Sequence, residues 1–212
     1  SKFANDNLKH AGVHDSSIFF VGNTMIDTLL ANIEKLKKPG FWDTFNLKEN
    51  EYFVLTMHRP SNVDEKTILS ENLHTILEGA NGMPVIFPVH PRTVKKIFEL
   101  ENLPLNLHCV DPQPYLEFNY LVKNAKAVIT DSGGITEEAT VMGVPCLTLR
   151  NTTERPETIE IGTNELVGSR PSSLLLFFEK IINGKWKKGE IPEKWDGKAG
   201  ERIVDILVDV LS

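Results

Sequence analysis

Cysteine is scarce in this 212-residue chain, and the two present, Cys109 and Cys146, sit in the apolar runs NLHCV and PCLTL. Neither belongs to a Cys/His cluster of zinc-ligand spacing, so both read as buried thiols. There is no excess of basic residues: the net charge is -6 and the pI about 5.6. Nucleic-acid partners normally require a basic footprint, and none is expected here. No run approaches the roughly 20 apolar residues that a membrane helix needs. The opening SKFANDNLKHAG lacks the basic-then-apolar layout of a signal peptide, so a cytoplasmic protein without membrane association is expected. An initiator methionine is also missing, and the chain opens on what reads as the middle of a helix. A fragment is therefore expected.

What is present is a balanced globular composition, 41% hydrophobic and 25% charged, enough to bury a core. Short apolar runs alternate with stretches of helical period. The strand candidates are SIFFVG (17 to 22), YFVLTMH (52 to 58), PVIFPVH (84 to 90), NLHCV (106 to 110), KAVITDS (126 to 132) and PCLTLR (145 to 150). Helical periodicity runs through MIDTLLANIEKLKK, TILSENLHTILEGA, TVKKIFELE, EFNYLVKNA and SSLLLFFEKIING, and a polar connection then leads to a last helix, RIVDILVDVL. This alternation predicts an α/β fold, a doubly wound Rossmann-like parallel sheet over residues 23 to 212, with residues 1 to 22 as the tail of something upstream.

Ligands of such sheets bind at the carboxyl ends of the strands. Polar groups cluster at those ends: Met57 to Arg59, His90 to Arg92, Asp111 to Gln113, Asp131 to Gly134, and Arg150 to Arg155. The segment TDSGGITEEA carries the strongest signal. A glycine pair between a strand and a helix lets a ligand approach the backbone without meeting a Cβ, and the first helical amides lack intrahelical partners. With the helix dipole, Ser132, Gly133 and Gly134 would form an anion site suited to phosphate. A carboxylate one turn further on, Glu137 or Glu138, could accept from a sugar diol. The alternative is that the glutamates only complement the dipole and Ser132 only caps.

The neighbouring LRNTTERPETIEIG places Arg155 ahead of a short helix starting near Pro156, where its guanidinium suits a second anionic oxygen. A salt bridge to Glu154 or Glu157 is the structural alternative for Arg155. In LTMHRPSN, His58 and Arg59 end a strand, where an imidazolium could offset charge on a departing diphosphate. His90 and Arg92 sit at a similar strand end, where His90 could simply bond the next turn.

Taken together these segments resemble the carboxy-terminal half of the UDP-N-acetylglucosamine 2-epimerase family. GNTMIDTL is similar to the family's hinge segment, LTMHRPSNVD to its histidine-arginine strand end, DPQPYLEF to its uracil-side loop, and TDSGGITEEATVMGVPCLTLRNTTERPETIEIGTNELVG to its long signature. The resemblance implies one half of a two-domain GT-B-type architecture, with residues 1 to 22 as the end of the amino-terminal domain and the hinge. It implies uracil near Gln113 and Phe118, ribose on Glu138, and the diphosphate near Ser132, Gly133, Gly134, Arg155 and a catalytic His58. Positions matching Arg59 and His90 are implicated in an activator site of bacterial relatives, although this chain has HRPSN where those relatives have HRREN. The implied chemistry is elimination of UDP to a 2-acetamidoglucal and re-addition after protonation at C2. It needs no nicotinamide cofactor and no metal.

The implied partners are UDP or UDP-N-acetylglucosamine, the missing amino-terminal domain, and a second copy in a full-length homodimer. The carboxylates thought to handle the C2 proton belong to that missing domain, so the isolated chain is expected to be inactive. A hydrolysing epimerase that releases UDP and N-acetylmannosamine, and a sugar-nucleotide-binding regulatory module, are the alternatives. The last helix is expected to pack locally or at a dimer contact.

Overall fold

Six short strands, Phe53–Thr56 (β1), Val85–Pro88 (β2), Leu107–Val110 (β3), Ala127–Thr130 (β4), Cys146–Thr148 (β5) and Asn164–Leu166 (β6), form one parallel sheet in the order β3-β2-β1-β4-β5-β6. The computed structural model describes residues 1–89, 91–100, 103–168 and 171–212. Ten helices lie among them: Lys2–His10 (α1), Thr24–Asn32 (α2), Pro60–Val63 (α3), Lys66–Gly79 (α4), Pro91–Phe98 (α5), Tyr115–Asn124 (α6), Gly133–Val141 (α7), Glu157–Glu160 (α8), Pro171–Ile182 (α9) and Ala199–Leu211 (α10).

Strand side chains alternate between faces, so each β-run supplies two cores. One face carries Phe53, Leu55, Phe87 and Ile129, covered by Leu69, Leu73 and Ile76 of α4 and by Phe178 of α9. The other carries Val54, Ile86, Val128 and Cys146, covered by Leu121 and Val122 of α6, Ala139 of α7 and the loop residue Trp42. The doubly wound Rossmann-like expectation is met. Strand order reverses between β1 and β4, which opens a crevice where connections leave to opposite sides. Turns with positive φ at Asn46, Asn50, Asn81, Gly82 and Gly143 lie in the connections that enter the opposite, amino-terminal ends of the strands.

The structure departs from the sequence pattern in four places. SIFFVG forms no strand: a 3-10 turn at Asp15–Ser17 is followed by extended chain with no strand beside it. Its carbonyls are satisfied by side chains instead, Lys194 Nζ donating to Phe20 at 2.7 Å and Arg202 Nη1 to Val21 at 3.1 Å. β6 carries no apolar run in NEL to signal it; it is held by pairing with β5 and by a buried bond from Thr148 Oγ1 to Asn164 Oδ1 at 2.7 Å. α7 starts at Gly133, two residues before Ile135, since both glycines take ordinary helical positions. Cys109 is exposed, not buried, because β3 is an edge strand.

The polar connection before α10 is stitched to the domain by Trp186 Nε1 donating to the Thr163 carbonyl at 2.8 Å and by buried Trp195. Asp27 of α2 accepts from the amides of Ala199 at 3.1 Å and Gly200 at 2.6 Å, capping α10. Beyond that cap the packing thins, and Val204, Leu207, Val208, Val210 and Leu211 are exposed. Among the described residues no helix is long and apolar enough to cross a membrane.

Candidate active site at the strand-order reversal

The reversal point is built from β1 and β4, whose register sets Thr56 opposite Thr130 and joins their hydroxyls at 2.6 Å. The next residues of each strand are therefore neighbours. Asp131 is fully buried and faces the HRPSN segment. Its carboxylate accepts from the backbone amides of His58 at 3.1 Å and Arg59 at 2.9 Å, and from Asn62 Nδ2 at 3.0 Å. His58 Nδ1 lies 2.8 Å from Asp131 Oδ1, while its ring is 60% exposed. Arg59 Nε donates to the Asp131 carbonyl at 2.9 Å, and Asn62 Nδ2 also reaches the Leu149 carbonyl at 3.3 Å.

From Asp131 the chain turns into α7. Ser132 occupies the cap position in an extended conformation, but its side chain makes no capping bond; its amide donates instead to Thr130 Oγ1 at 2.9 Å. Gly133 and Gly134 do not have positive φ, so the turn does not require them. A Cβ built at Gly134 meets nothing within 4 Å, and one at Gly133 meets only Arg150 Nη1 at 3.8 Å and Glu154 Oε2 at 3.9 Å. Open space above the first turn is what the pair provides. It forms a cavity of about 410 Å³ lined by Arg59, Gly133, Gly134, Arg150, Arg155, Met25, Glu137 and Glu154. Three guanidinium groups beside the start of α7 are the kind of setting that suits an anion, although Glu137 and Glu154 line the same space.

Two of those cations are held by carboxylates. Arg150, with a side chain only 8% exposed, pairs with Glu154 through two bonds of 2.8 and 2.6 Å, and this contact brings the Glu154 carboxyl down to about 2. Arg155 Nε bonds to the buried Glu137, not to Glu154 or Glu157 as its sequence neighbourhood suggested.

Glu138 points to the other flank of α7. It is 5% exposed, and burial pushes its carboxyl above the ordinary range, opposed by hydrogen bonding from Tyr115 and Asn119 and reinforced by Glu137. Burial and Glu138 together push the Tyr115 phenol up. Gln113 is half-buried just ahead of α6, its Nε2 donating to the Asp111 carbonyl at 2.7 Å. Phe118 is half-buried against the α6–α7 core. Gln113, Phe118 and Glu138 thus lie on the α6 side and do not line the cavity. His90 lies outside the described residues.

A profile of the UDP-N-acetylglucosamine 2-epimerase family matches residues 1–208. This chain belongs to that family. It is 40% identical over 224 residues to the UDP-N-acetylglucosamine 2-epimerase of Methanocaldococcus jannaschii, covering 98% of this chain and 59% of the relative. The solved structure of that enzyme in complex with UDP-GlcNAc and UDP superposes with a TM-score of 0.82 over 98% of this chain and 59% of that one. The Neisseria meningitidis enzyme bound to UDP-GlcNAc gives 0.83 at 32% identity, covering 99% and 60%. The chain therefore spans about 59% of the length of such relatives.

For a member of the 2-epimerase family, the sequence reading left out residues that the structure brings into play. Arg150 was one of several strand-end polar groups, and nothing local marked it as buried against the glycine loop. Asp131, Asn62, Tyr115 and Asn119 act through contacts distant in sequence, which spacing does not reveal.

Proposed function

We propose that this chain is the UDP-binding part of a UDP-N-acetylglucosamine 2-epimerase. The observation that supports this most is the uncluttered amino end of α7 facing Arg59, Arg150 and Arg155. The diphosphate would sit over Ser132, Gly133 and Gly134 with Arg155, Arg150 and His58 around it, the ribose on Glu138, and the uracil toward Gln113 and Phe118. Helix amides and guanidinium groups aimed at the phosphates stabilise charge that grows as the bond to the sugar breaks. The C2 proton would be taken as the C1–O bond to UDP breaks, giving a 2-acetamidoglucal, and UDP would add back after C2 is reprotonated from the other face. The groups that move the C2 proton would come from the part of the relatives' length that this chain does not span. The 212-residue chain alone is accordingly expected to bind UDP and to turn over no sugar nucleotide.

A relative from Pseudomonas aeruginosa, 32% identical over 98% of this chain, is named UDP-2,3-diacetamido-2,3-dideoxy-D-glucuronate 2-epimerase. UDP is common to both names and the sugar is not, which supports the nucleotide as the ligand of this part. Calorimetric titration of UDP beside CDP, with Glu138→Ala in parallel, tests the reading. Selective UDP binding weakened about tenfold in the variant is expected, the order of one buried hydrogen-bonding carboxylate lost. No UDP binding by a folded sample, with none by a longer protein that contains this chain, would sink it.

A further inference from the structure

Asp131 has no part in the reading above, yet it is the most heavily bonded side chain of the crevice. Oδ2 receives three donors, the amides of His58 at 3.1 Å and Arg59 at 2.9 Å and the Asn62 side chain at 3.0 Å. Oδ1 faces His58 Nδ1 at 2.8 Å. The group is fully buried, so its donors come from the protein. Three N–H groups converging on one oxygen suit the acceptor-only, ionised form of a carboxylate.

We infer that Asp131 is a positioning residue for His58: it holds the proton of the neutral imidazole on Nδ1 and leaves Nε2 as the nitrogen that meets the ligand. The inference rests on the UDP-binding reading for the identity of that ligand, but not for the state of the ring. With Nδ1–H committed to Asp131, a proton gained by the ring goes to Nε2, which then donates to a phosphate oxygen while the charge remains balanced by the buried carboxylate. The backbone bonds to His58 and Arg59 fix the same ring from behind, so β1 and β4 together determine its direction.

Asp131→Asn is nearly isosteric and makes a specific prediction. The amide has one oxygen for the three donors at the Oδ2 position, so its NH2 must turn toward His58. Nδ1 then becomes an acceptor, and the neutral ring carries its proton on Nε2.

The test uses the 212-residue chain labelled with 15N-histidine, in which long-range proton–nitrogen spectra distinguish the two neutral tautomers. The His58 signals are assigned by their loss in His58→Gln. The expected result is Nδ1–H in the wild type and Nε2–H in Asp131→Asn. A wild-type ring with Nε2–H overturns the inference, and that measurement does not depend on the variant folding. UDP titration supplies the second arm. Asp131→Asn should weaken UDP about fivefold, the order expected when a charge-assisted bond becomes neutral, and should cost nothing further in a His58→Gln background. Equal losses in both backgrounds would show that Asp131 acts on the loop and not through the ring, which also overturns it. The expected tautomers with no UDP binding, either here or in a longer protein that contains this chain, would leave the positioning role standing and remove the UDP reading.

Discussion

Arg155 bonds through Nε to Glu137, a carboxylate on the second turn of α7, and not to the carboxylates beside it in sequence, meeting Glu154 only at its backbone carbonyl through Nη1 at 3.1 Å. Glu137 is 2% exposed, so this guanidinium both neutralises a buried charge and stands at the edge of the anion cavity. The two duties are separable. Arg155→Ala should lower stability by about 2 kcal/mol, below the range for fully buried pairs because the arginine is half-exposed, and should also weaken UDP. Arg155→Met with Glu137→Gln should recover most of the stability and none of the affinity. Denaturant unfolding beside titration checks this, and recovery of both properties would confine Arg155 to a structural role.

Gly133→Ala and Gly134→Ala offer a complementary case. Neither methyl meets an atom closer than 3.8 Å, and neither position has positive φ. Both variants should therefore be as stable as the wild type or slightly more so, since alanine favours helix, while UDP affinity falls about tenfold as methyls enter the space reserved for phosphate. Gly79→Ala is the contrasting control: its methyl would overlap Phe178 in the core, so it should lower the melting temperature. Unchanged UDP affinity in both loop variants would mean that the glycines are not there for the ligand.

Glu138 gives a pH signature. Its folded-state carboxyl is raised above the usual 4.5 by burial, so the native chain binds more protons than the unfolded one between the two values. Stability contributed by the protonated group is complete below the ordinary carboxylate range and is lost as pH rises through the elevated value. Glu138→Gln should then be more stable than the wild type at neutral pH in the absence of ligand, with the gap closing in acid. Thermal melts across that range test the sign, and a gap that widens in acid would contradict it.

The outer half of α10 should be energetically silent in the isolated chain. Val208 is 60% exposed, and Val204 and Leu207 are similarly bare. Val208→Asp should alter unfolding by no more than about 0.5 kcal/mol, the range for surface changes. Asp27→Ala, which removes the cap on this helix, should cost about 1 kcal/mol. Hydrogen exchange should show amides beyond Leu207 opening well before those of β1 and β4.

How much of this was readable beforehand follows from the range of each interaction. Five of the six strands were legible because buried parallel strands are continuous apolar runs, as in FVL of β1 and AVI of β4. SIFFVG has the same composition without a neighbour to pair with, and β6 has a neighbour without the composition. The glycine loop was legible because glycines next to a helix start are a local signal. The partners of its charges were not: His58 and Asp131 meet across 73 residues through the β1–β4 register, and Arg155 and Glu137 across 18 through the packing of the chain ahead of α8 on α7.

The placement of the tight turns has a practical side. Asn46, Asn50, Asn81, Gly82 and Gly143 all lie where chain enters the strands, and the crevice groups His58, Arg59, Asp131 to Gly134, Arg150 and Arg155 leave from the other rim. Added length is tolerated at exposed turns of this kind, so the two rims differ in their freedom to vary. A peptide handle inserted between Asn81 and Gly82 would tether the molecule to a surface by its inert rim, with the crevice turned outward to the solution.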